Sequence, residues 1–462
     1  MADGVHDGEP DGEPEEILAR VAAIDVGKDS GMVCTRLPHD TRAGRKVQKV
    51  WEIPARHDDI LALGDHLRAH GVERVVIEST SDYWRIFYYL LEAAGLVVWL
   101  VNAREVRNVP GRPKTDKLDA VWLCKLNERG MLRPSFVPPA EIRDLRQLTR
   151  LRTKLGQDAA RHMNRIEKVL EDALLKISVV LSDLFGTSGR RILNALVAGQ
   201  RDPARLAELA DYRVRASPAR LRAALTGRFR DVHAVEIGML LELIGLLEAK
   251  VADLDDQIAA MVADLPGAAP ACGICALVGG EHAPGCADAG VRLLGLAERL
   301  DEITGVGMSC AQVIIAELGT HVTTQFPTAG HAAAWAKLVP VVRQSGKTSR
   351  SGPTGKGNRW LRGALGTAAM ATAKSKGTFL GERYQRIRRR RGKQKAMVAV
   401  GRSILEIAYL LIANPTLRFH DLGADYYDRL NSPEQQARRK IREIERLTGK
   451  KVHLVDGEAV AS

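Results

Sequence analysis

The stretch Val21-Ala22-Ala23-Ile24-Asp25-Val26-Gly27 is an apolar run broken by one acid and closed by a glycine. A short apolar run bounded by a turn residue reads as a strand buried on both faces. Working outward, Asp58 to His70 carries Ile60, Leu61, Leu63 and Leu67 at helical spacing. Val72 to Ile77 is a second apolar strand that delivers Glu78 at its C-terminal end. Trp84 to Ala94 reads as a helix, Leu96 to Val101 as a strand and Thr115 to Arg129 as a helix. Strands alternating with helices predict an α/β domain, a sheet covered by helices.

From Glu141 the period becomes helical and stays so. Ile142, Leu145, Leu148, Leu151 and Leu155 open a helix expected to run, with a break, to about Leu184. Ile237, Leu240, Ile244, Leu247, Val251, Leu254, Ile258 and Met261 alternate steps of three and four, a heptad seam. An antiparallel helix pair inside the chain and an intermolecular coiled coil both satisfy it. The expected segments are an acidic tail over 1–18, the α/β domain over 19–135, a helical coiled-coil region over 136–265, a Gly/Cys-rich insert over 266–295, a mainly helical domain over 296–420 and a charged tail over 421–462.

With 462 residues the chain is too long for one core. Aromatics are only 5%, so Ala, Leu, Val and Ile must fill the interior. The net charge is +12 although residues 1–16 carry seven acids and no Lys or Arg, so the remainder is more basic still. Such an excess predicts a polyanionic partner, nucleic acid being the commonest. No apolar run approaching membrane-spanning length and no signal pattern stand out, so the expected location is cytoplasmic, with no membrane partner. Cys34, Cys124 and Cys310 are scattered, as reduced core thiols would be.

Asp25 and Glu78 end two strands that can lie side by side, while Asp116 and Asp119 share a helix face near its N-terminus. Singly, each acid has an ordinary structural explanation. Together, four hard-oxygen donors in a basic chain suit Mg²⁺ or Mn²⁺, which stabilise the attacking and leaving oxygens of a phosphodiester.

Residues 343–362 are rich in Gly, Ser, Lys and Arg. Arg343, Lys347, Arg350, Lys356, Arg359 and Arg362, with Asn358, would meet phosphate, and the glycines would let the backbone approach it. A hydroxyl nucleophile among these cations is one reading and a basic loop that only grips the backbone is the other. Composition does not choose among Ser345, Ser349 and Ser351.

Ala23-Ile24-Asp25-Val26-Gly27-Lys28, Ile77-Glu78-Ser79-Thr80 and Lys114-Thr115-Asp116 through Asp119-Ala120 form one set of motifs. Ala334-Trp335 through Leu338-Val339-Pro340, Gln344-Ser345-Gly346-Lys347 and Gly355-Lys356-Gly357-Asn358 through Leu361-Arg362 form another. In this order they resemble the DEDD-type insertion-sequence transposases, the RNA-guided bridge recombinases, from Ala19 to about Leu430. The resemblance implies an N-terminal RuvC-like domain and a C-terminal transposase domain, and with the periodicity the expected architecture is a RuvC/ribonuclease-H-like α/β domain, a helical coiled-coil middle and a mainly helical transposase domain. It implies Asp25, Glu78, Asp116 and Asp119 as metal ligands and Ser345 as the nucleophile forming a phosphoserine link to DNA. It also implies a noncoding guide RNA and a homo-oligomer, dimer or tetramer. The rival functions are a RuvC-like structure-specific endonuclease and a non-catalytic nucleic-acid-binding protein.

Three further features stand apart. Ile303-Thr304-Gly305-Val306-Gly307 before an apolar helix reads either as a phosphate-binding helix-hairpin-helix turn or as a plain tight turn. Arg386 to Lys395 packs seven cations into ten residues, Arg388, Arg389, Arg390 and Arg391 among them, a dense block for phosphate or RNA. Cys272-x2-Cys275, His282 and Cys286 have the donor types and spacing of a structural Zn²⁺ site, with a Gly/Ala-rich loop carrying incidental cysteines as the alternative.

Overall fold

The structure, a computed structural model, describes residues 18–42, 44–78, 81–102, 115–275, 281–288, 290, 292–345, 348–430, 433–455 and 458–461. For Asp116, residues 342–351 and parts of the C-terminal tail it describes the backbone alone. The acidic tail, Ser79, Thr80, Lys114, Gly346 and Lys347 lie outside the described residues. The chain divides into two compact units after Val137.

In the first unit, β1 (Val21–Val26), β2 (Ser30–Pro38), β3 (Lys46–Pro54), β4 (Arg74–Glu78) and β5 (Val98–Val101) form one sheet in the order β3-β2-β1-β4-β5. β1 runs antiparallel to β2 and parallel to β4, and β5 is parallel to β4. These are the order and directions of a ribonuclease-H-like sheet. Helices α1 (His57–Ala69) and α2 (Trp84–Ala93) cover one face, where Ala22, Ile24, Val26 and Ile77 meet Ile60, Leu63, Phe87 and Leu91. Helix α3 (Asp116–Glu128) covers the other, where Val21, Ala23 and Val76 meet Ala120, Leu123 and Cys124.

Burial on both faces explains the apolar run of β1 and fixes its register. A slip of one residue would exchange the two faces and carry Asp25 into the apolar core under α1 and α2, where an unpaired charge is costly. Periodicity shows no element between Gly27 and Asp58, where the structure has the long β2–β3 pair. Strand β3 is an edge, and exposed Lys49 and Glu52 hide its strand character while blunting the edge.

The second unit opens with α4 (Ala140–Asp172), followed by α5 (Thr187–Val197), α6 (Pro203–Glu208), α7 (Pro218–Ala224) and α8 (Asp231–Asp264). Pro203 and Pro218 stand at the first helical positions behind the capping side chains of Asp202 and Ser217. Arg152 pairs with Asp255 and Asp172 with His233, so α4 and α8 run antiparallel. Ile237, Leu240, Ile244, Leu254 and Ile258 are buried in that packing, the intramolecular solution to the heptad seam. Helix α4 stops at Asp172, short of Leu184. Leu174 takes φ +60°, and the Ala173 carbonyl lies 2.7 Å from where a Cβ on Gly227 would stand. The left-handed backbone at Leu174 ends the helix, and Arg228 N donates to the Ala173 carbonyl at 2.8 Å.

Helices α9 (Leu296–Asp301), α10 (Met308–Leu318), α11 (Val322–Gln325) and α12 (Ala329–Trp335) lead to the hairpin β6 (Val342–Ser345) and β7 (Thr348–Ser351). Then come α13 (Arg359–Thr372), α14 (Phe379–Arg391), α15 (Lys393–Ala413), α16 (Tyr426–Arg429), α17 (Pro433–Thr448) and the pair β8 (Val452–Val455) and β9 (Glu458–Ala461). The 21 residues of α15 are apolar enough to cross a membrane by length and composition, though Lys393, Lys395, Arg402 and Glu406 interrupt the run, and Val400, Ile404, Leu405, Ala408 and Ile412 are buried inside the protein. It reads as a core helix.

Candidate active site

β1 and β4 are paired up to Ile24 opposite Ile77, and Asp25 and Glu78 are the next residues on each strand. Adjacent strands lie about 4.8 Å apart, so these acids are neighbours. Alternation places both on the α3 face, continuing Val21-Ala23 and Val76. Both are half-buried.

Asn127 anchors the far end of α3. It is fully buried; its amide donates to the carbonyls of Ala22 (3.1 Å) and Arg74 (3.2 Å), and its Oδ1 accepts from Arg74 Nε at 2.7 Å. The C-terminus of α3 therefore sits over the beginnings of β1 and β4, and the helix runs back along them. From Asn127 to Asp119 the helix climbs about 12 Å. From Ala22 to Asp25 the strand climbs about 10 Å. Asp119, half-buried, thus lies near the level of Asp25 and Glu78, one turn below Asp116. Thr115 caps the helix by accepting from Leu118 N, so Asp116 and Asp119 occupy its first turns, where the helix dipole offsets negative charge. Arg74 and Asn127 escaped the sequence reading, since a lone Asn in an amphipathic helix carries no signal of what it reaches.

In the second unit Ser345 ends β6 opposite Thr348, and Arg343 is paired with Arg350. Alternation puts positions 343, 345, 348 and 350 on one face of the hairpin, with Gln344 and Ser349, and Val342 and Ser351, on the other. Ser345 alone of the three candidate serines shares its face with both arginines. Pairing continues at the base, where Gly352 N donates to Val341 O at 2.6 Å.

The segment after the hairpin is built into the protein. Gly357 packs against Ala336, whose carbonyl oxygen would lie 2.2 Å from a Cβ there, so the glycine serves an internal contact rather than a phosphate. Asn358 caps α13 through Oδ1, accepting from Trp360 N and Leu361 N, and its amide donates to Glu317 Oε2 at 2.6 Å. Arg362 donates to Gly355 O at 2.8 Å. The side chains of Asn358 and Arg362, expected to meet nucleic acid, are thus engaged in holding the turn. Lys356 and Arg359 are exposed, as are Arg388, Arg389, Arg390 and Arg391 in the last turn of α14.

Glu317, fully buried, is a second residue the sequence did not flag. Arg150 grips it with two hydrogen bonds of 2.8 Å, and Arg146 approaches to 3.3 Å. These partners compensate a charge that would otherwise be costly to bury. Beside this network lies a cleft of about 720 Å³, lined by exposed Lys154, Gln157 and Arg359 with Arg152, Ser309 and Trp360. Arg359 stacks over the Trp360 ring, 4.5 Å from its centroid. Burial pushes the Cys310 thiol, also on this cleft, up to about 12. Gly305 takes φ +87° with Thr372 Oγ1 2.2 Å from any Cβ, which supports the tight-turn reading of 303–307. Gly307, the N-cap of α10, faces open space.

Cys272, Cys275, His282 and Cys286 bring one donor atom each to within 4.8 Å of one another. A hydrogen bond from Cys275 N, foremost, holds the Cys272 thiol below its ordinary value. A backbone hydrogen bond from Asp288 draws Cys286 down, but burial and the two neighbouring thiols leave it raised.

Residues 22–174 match the family model DEDD_Tnp_IS110, described as a transposase. Residues 297–385 match a model described as Transposase IS116/IS110/IS902 family, and the two together span more than half of the chain. No curated protein matches. Among solved structures, Thermus thermophilus RuvC is similar at 16% identity over 25% of this chain and 99% of that one, with a TM-score of 0.20. T. thermophilus RuvC in complex with a Holliday junction substrate is similar at 17% identity over 26% of this chain and 100% of that one, with a TM-score of 0.19.

Proposed function

The chain belongs to the IS110-family DEDD transposases, enzymes of insertion sequences that cut and rejoin DNA, and from that premise we propose that it exchanges strands through a serine–phosphate link assisted by divalent metal. The observation that carries the metal half is the convergence of Asp25 and Glu78, at neighbouring strand ends, with the first turns of α3. Carboxylates gathered there would repel one another unless a cation neutralised them, and an all-oxygen donor set fits Mg²⁺ or Mn²⁺. When bound, such an ion supplies electrostatic stabilisation of charge on the phosphodiester oxygens.

The chain's own residues do the rest. Arg343 and Arg350 draw the scissile phosphate to the hairpin face that also carries Ser345. The Ser345 hydroxyl attacks phosphorus, a phosphoserine link forms as the sugar oxygen leaves, and a second sugar hydroxyl later displaces the serine. The bond energy is thereby conserved for rejoining. Lys154 and Arg359 in the cleft and Arg388 to Arg391 on α14 bind the phosphates of DNA and of a guide RNA. Exposed Val232, Val235, Met239, Leu243 and Leu246, three or four apart on α8, favour self-association into a dimer or tetramer. A cytoplasmic location belongs to the same reading.

The test is a nicked or mismatched donor that traps the covalent intermediate. A denaturant-resistant protein–DNA adduct should form with the intact chain, persist in Ser349→Ala and vanish in Ser345→Ala. Cleavage that survives Ser345→Ala with release of hydrolysed ends would favour the structure-specific endonuclease instead.

A further inference from the structure

We propose that Cys272, Cys275, His282 and Cys286 hold a structural Zn²⁺ that clasps the connection between α8 and α9 onto the turn after α15. The donors come from a segment rich in Gly, Pro and Ala, yet their four atoms converge within 4.8 Å. The Sγ atoms of Cys272 and Cys286 are 3.7 Å apart. A tetrahedral ion with Zn–S bonds near 2.3 Å separates its sulfurs by about 3.8 Å, whereas a disulfide requires about 2.05 Å. The spacing is that of two ligands on one ion. Cys275 N donates to Cys272 Sγ at 3.4 Å, the kind of backbone contact that orients and stabilises a coordinating thiolate. Three thiolates and an imidazole are soft and borderline donors, suited to zinc and ill-suited to the hard cations proposed for the carboxylates. The site is therefore independent of the catalytic reading.

The surroundings show what the clasp secures. Gly273, between the first two ligands, packs on Thr416, whose Cβ would lie 3.3 Å from a Cβ on the glycine. Upstream, Ala268 O accepts from Leu296 N at 2.9 Å, tying the start of the segment to α9. From α9, Arg299 Nη1 donates to the carbonyls of Leu411, Asn414 and Leu417, closing the C-terminal end of α15. Zinc binding thus orders a segment that joins three elements of the second unit, replacing the hydrophobic burial its composition does not provide.

Purified full-length protein, desalted without chelator, should retain about one zinc per chain by metal analysis, the stoichiometry of a closed structural site. Cys275→Ser and Cys286→Ser should lose it, and Cys310→Ser, outside the cluster, should keep it. Cobalt loaded in place of zinc should give the visible spectrum of a tetrahedral thiolate site, which tests the idea in the unmutated chain if the variants fail to fold. Chelation should open residues 266–295 to proteolysis. Absence of zinc together with a featureless cobalt spectrum overturns the proposal, as does a Cys272–Cys286 disulfide in the native peptide map. Zinc retained at full stoichiometry in both serine variants overturns it equally.

Discussion

The acids of the first unit and the serine of the second are held in opposite ways. Asp25, next to last on β1, and Glu78, last on β4, stand on strands whose remaining residues are all buried, so the hydrophobic core fixes their register and the acids follow. Ser345 sits on an isolated two-stranded hairpin, a structure with little stability of its own. At its base Gly352 N donates to Val341 O, and the Glu317–Arg150–Asn358 network seats the helix that follows. A core-held site tolerates surface change and fails by losing a ligand. A site held by a polar network fails when any one partner is removed.

The sharpest test of that contrast is to remove each chemical group. Asp25→Ala and Ser345→Ala should each lower recombination of a donor plasmid by about 10³-fold or more, while DNA affinity in a filter or gel-shift assay changes little. A Ser345→Ala chain that still recombines would leave only the sheet site in the chemistry.

Glu317→Ala should destabilise the second unit by about 3–5 kcal/mol, because it strands Arg146 and Arg150 without their buried partner. Asn358→Ala removes a cap and one hydrogen bond and should cost about 1–2 kcal/mol. Urea unfolding followed by circular dichroism measures both. A Glu317→Ala chain as stable as the parent would mean that the hairpin's neighbourhood is not network-held.

Arg350→Gln should weaken DNA binding nearly uniformly across sequences and reduce the salt slope of log K by about one. An unchanged slope would remove Arg350 from the phosphate contacts.

The smallest effects concern acid stability, on which the two units should behave alike. Burial would raise Glu128, but hydrogen bonds from Arg36 and Lys46 outweigh it and hold the carboxyl below its ordinary 4.5. In the second unit Arg418 similarly lowers Glu302. A lowered folded value means stability fully present above the ordinary carboxyl value and lost as pH falls through the folded one. Glu128→Gln and Glu302→Gln should each flatten the decline of melting temperature below pH 4.5. An unaltered decline would mean that exposure to solvent cancels these pairs.

Much of the fold was legible because burial writes itself into periodicity. The apolar runs of β1 and β4, the helical spacing of α1 and the start of α3 were all readable within a residue or two. Strands β2 and β3 were not, since Arg36 on β2 and Lys46, Lys49 and Glu52 on the edge strand β3 interrupt the apolar pattern. The β6–β7 hairpin was hidden likewise: its Gly, Ser, Lys and Arg composition reads as a loop, and only backbone pairing reveals the strands.

By itself, the sequence determined which residues were available for chemistry: four acids behind strand and helix signals, three serines among cations, and a Cys/His set at metal spacing. Tertiary structure alone decided which of them meet. The Asn127 contacts seat the C-terminal end of α3 over the starts of β1 and β4, which puts Asp119 near the level of the strand ends, and strand register gives position 345 the face it shares with positions 343 and 350. Chain closure likewise draws four donors from fifteen residues to one point. Periodicity is local and survives in a string of letters; pairing across tens of residues depends on packing free energy summed over the whole core.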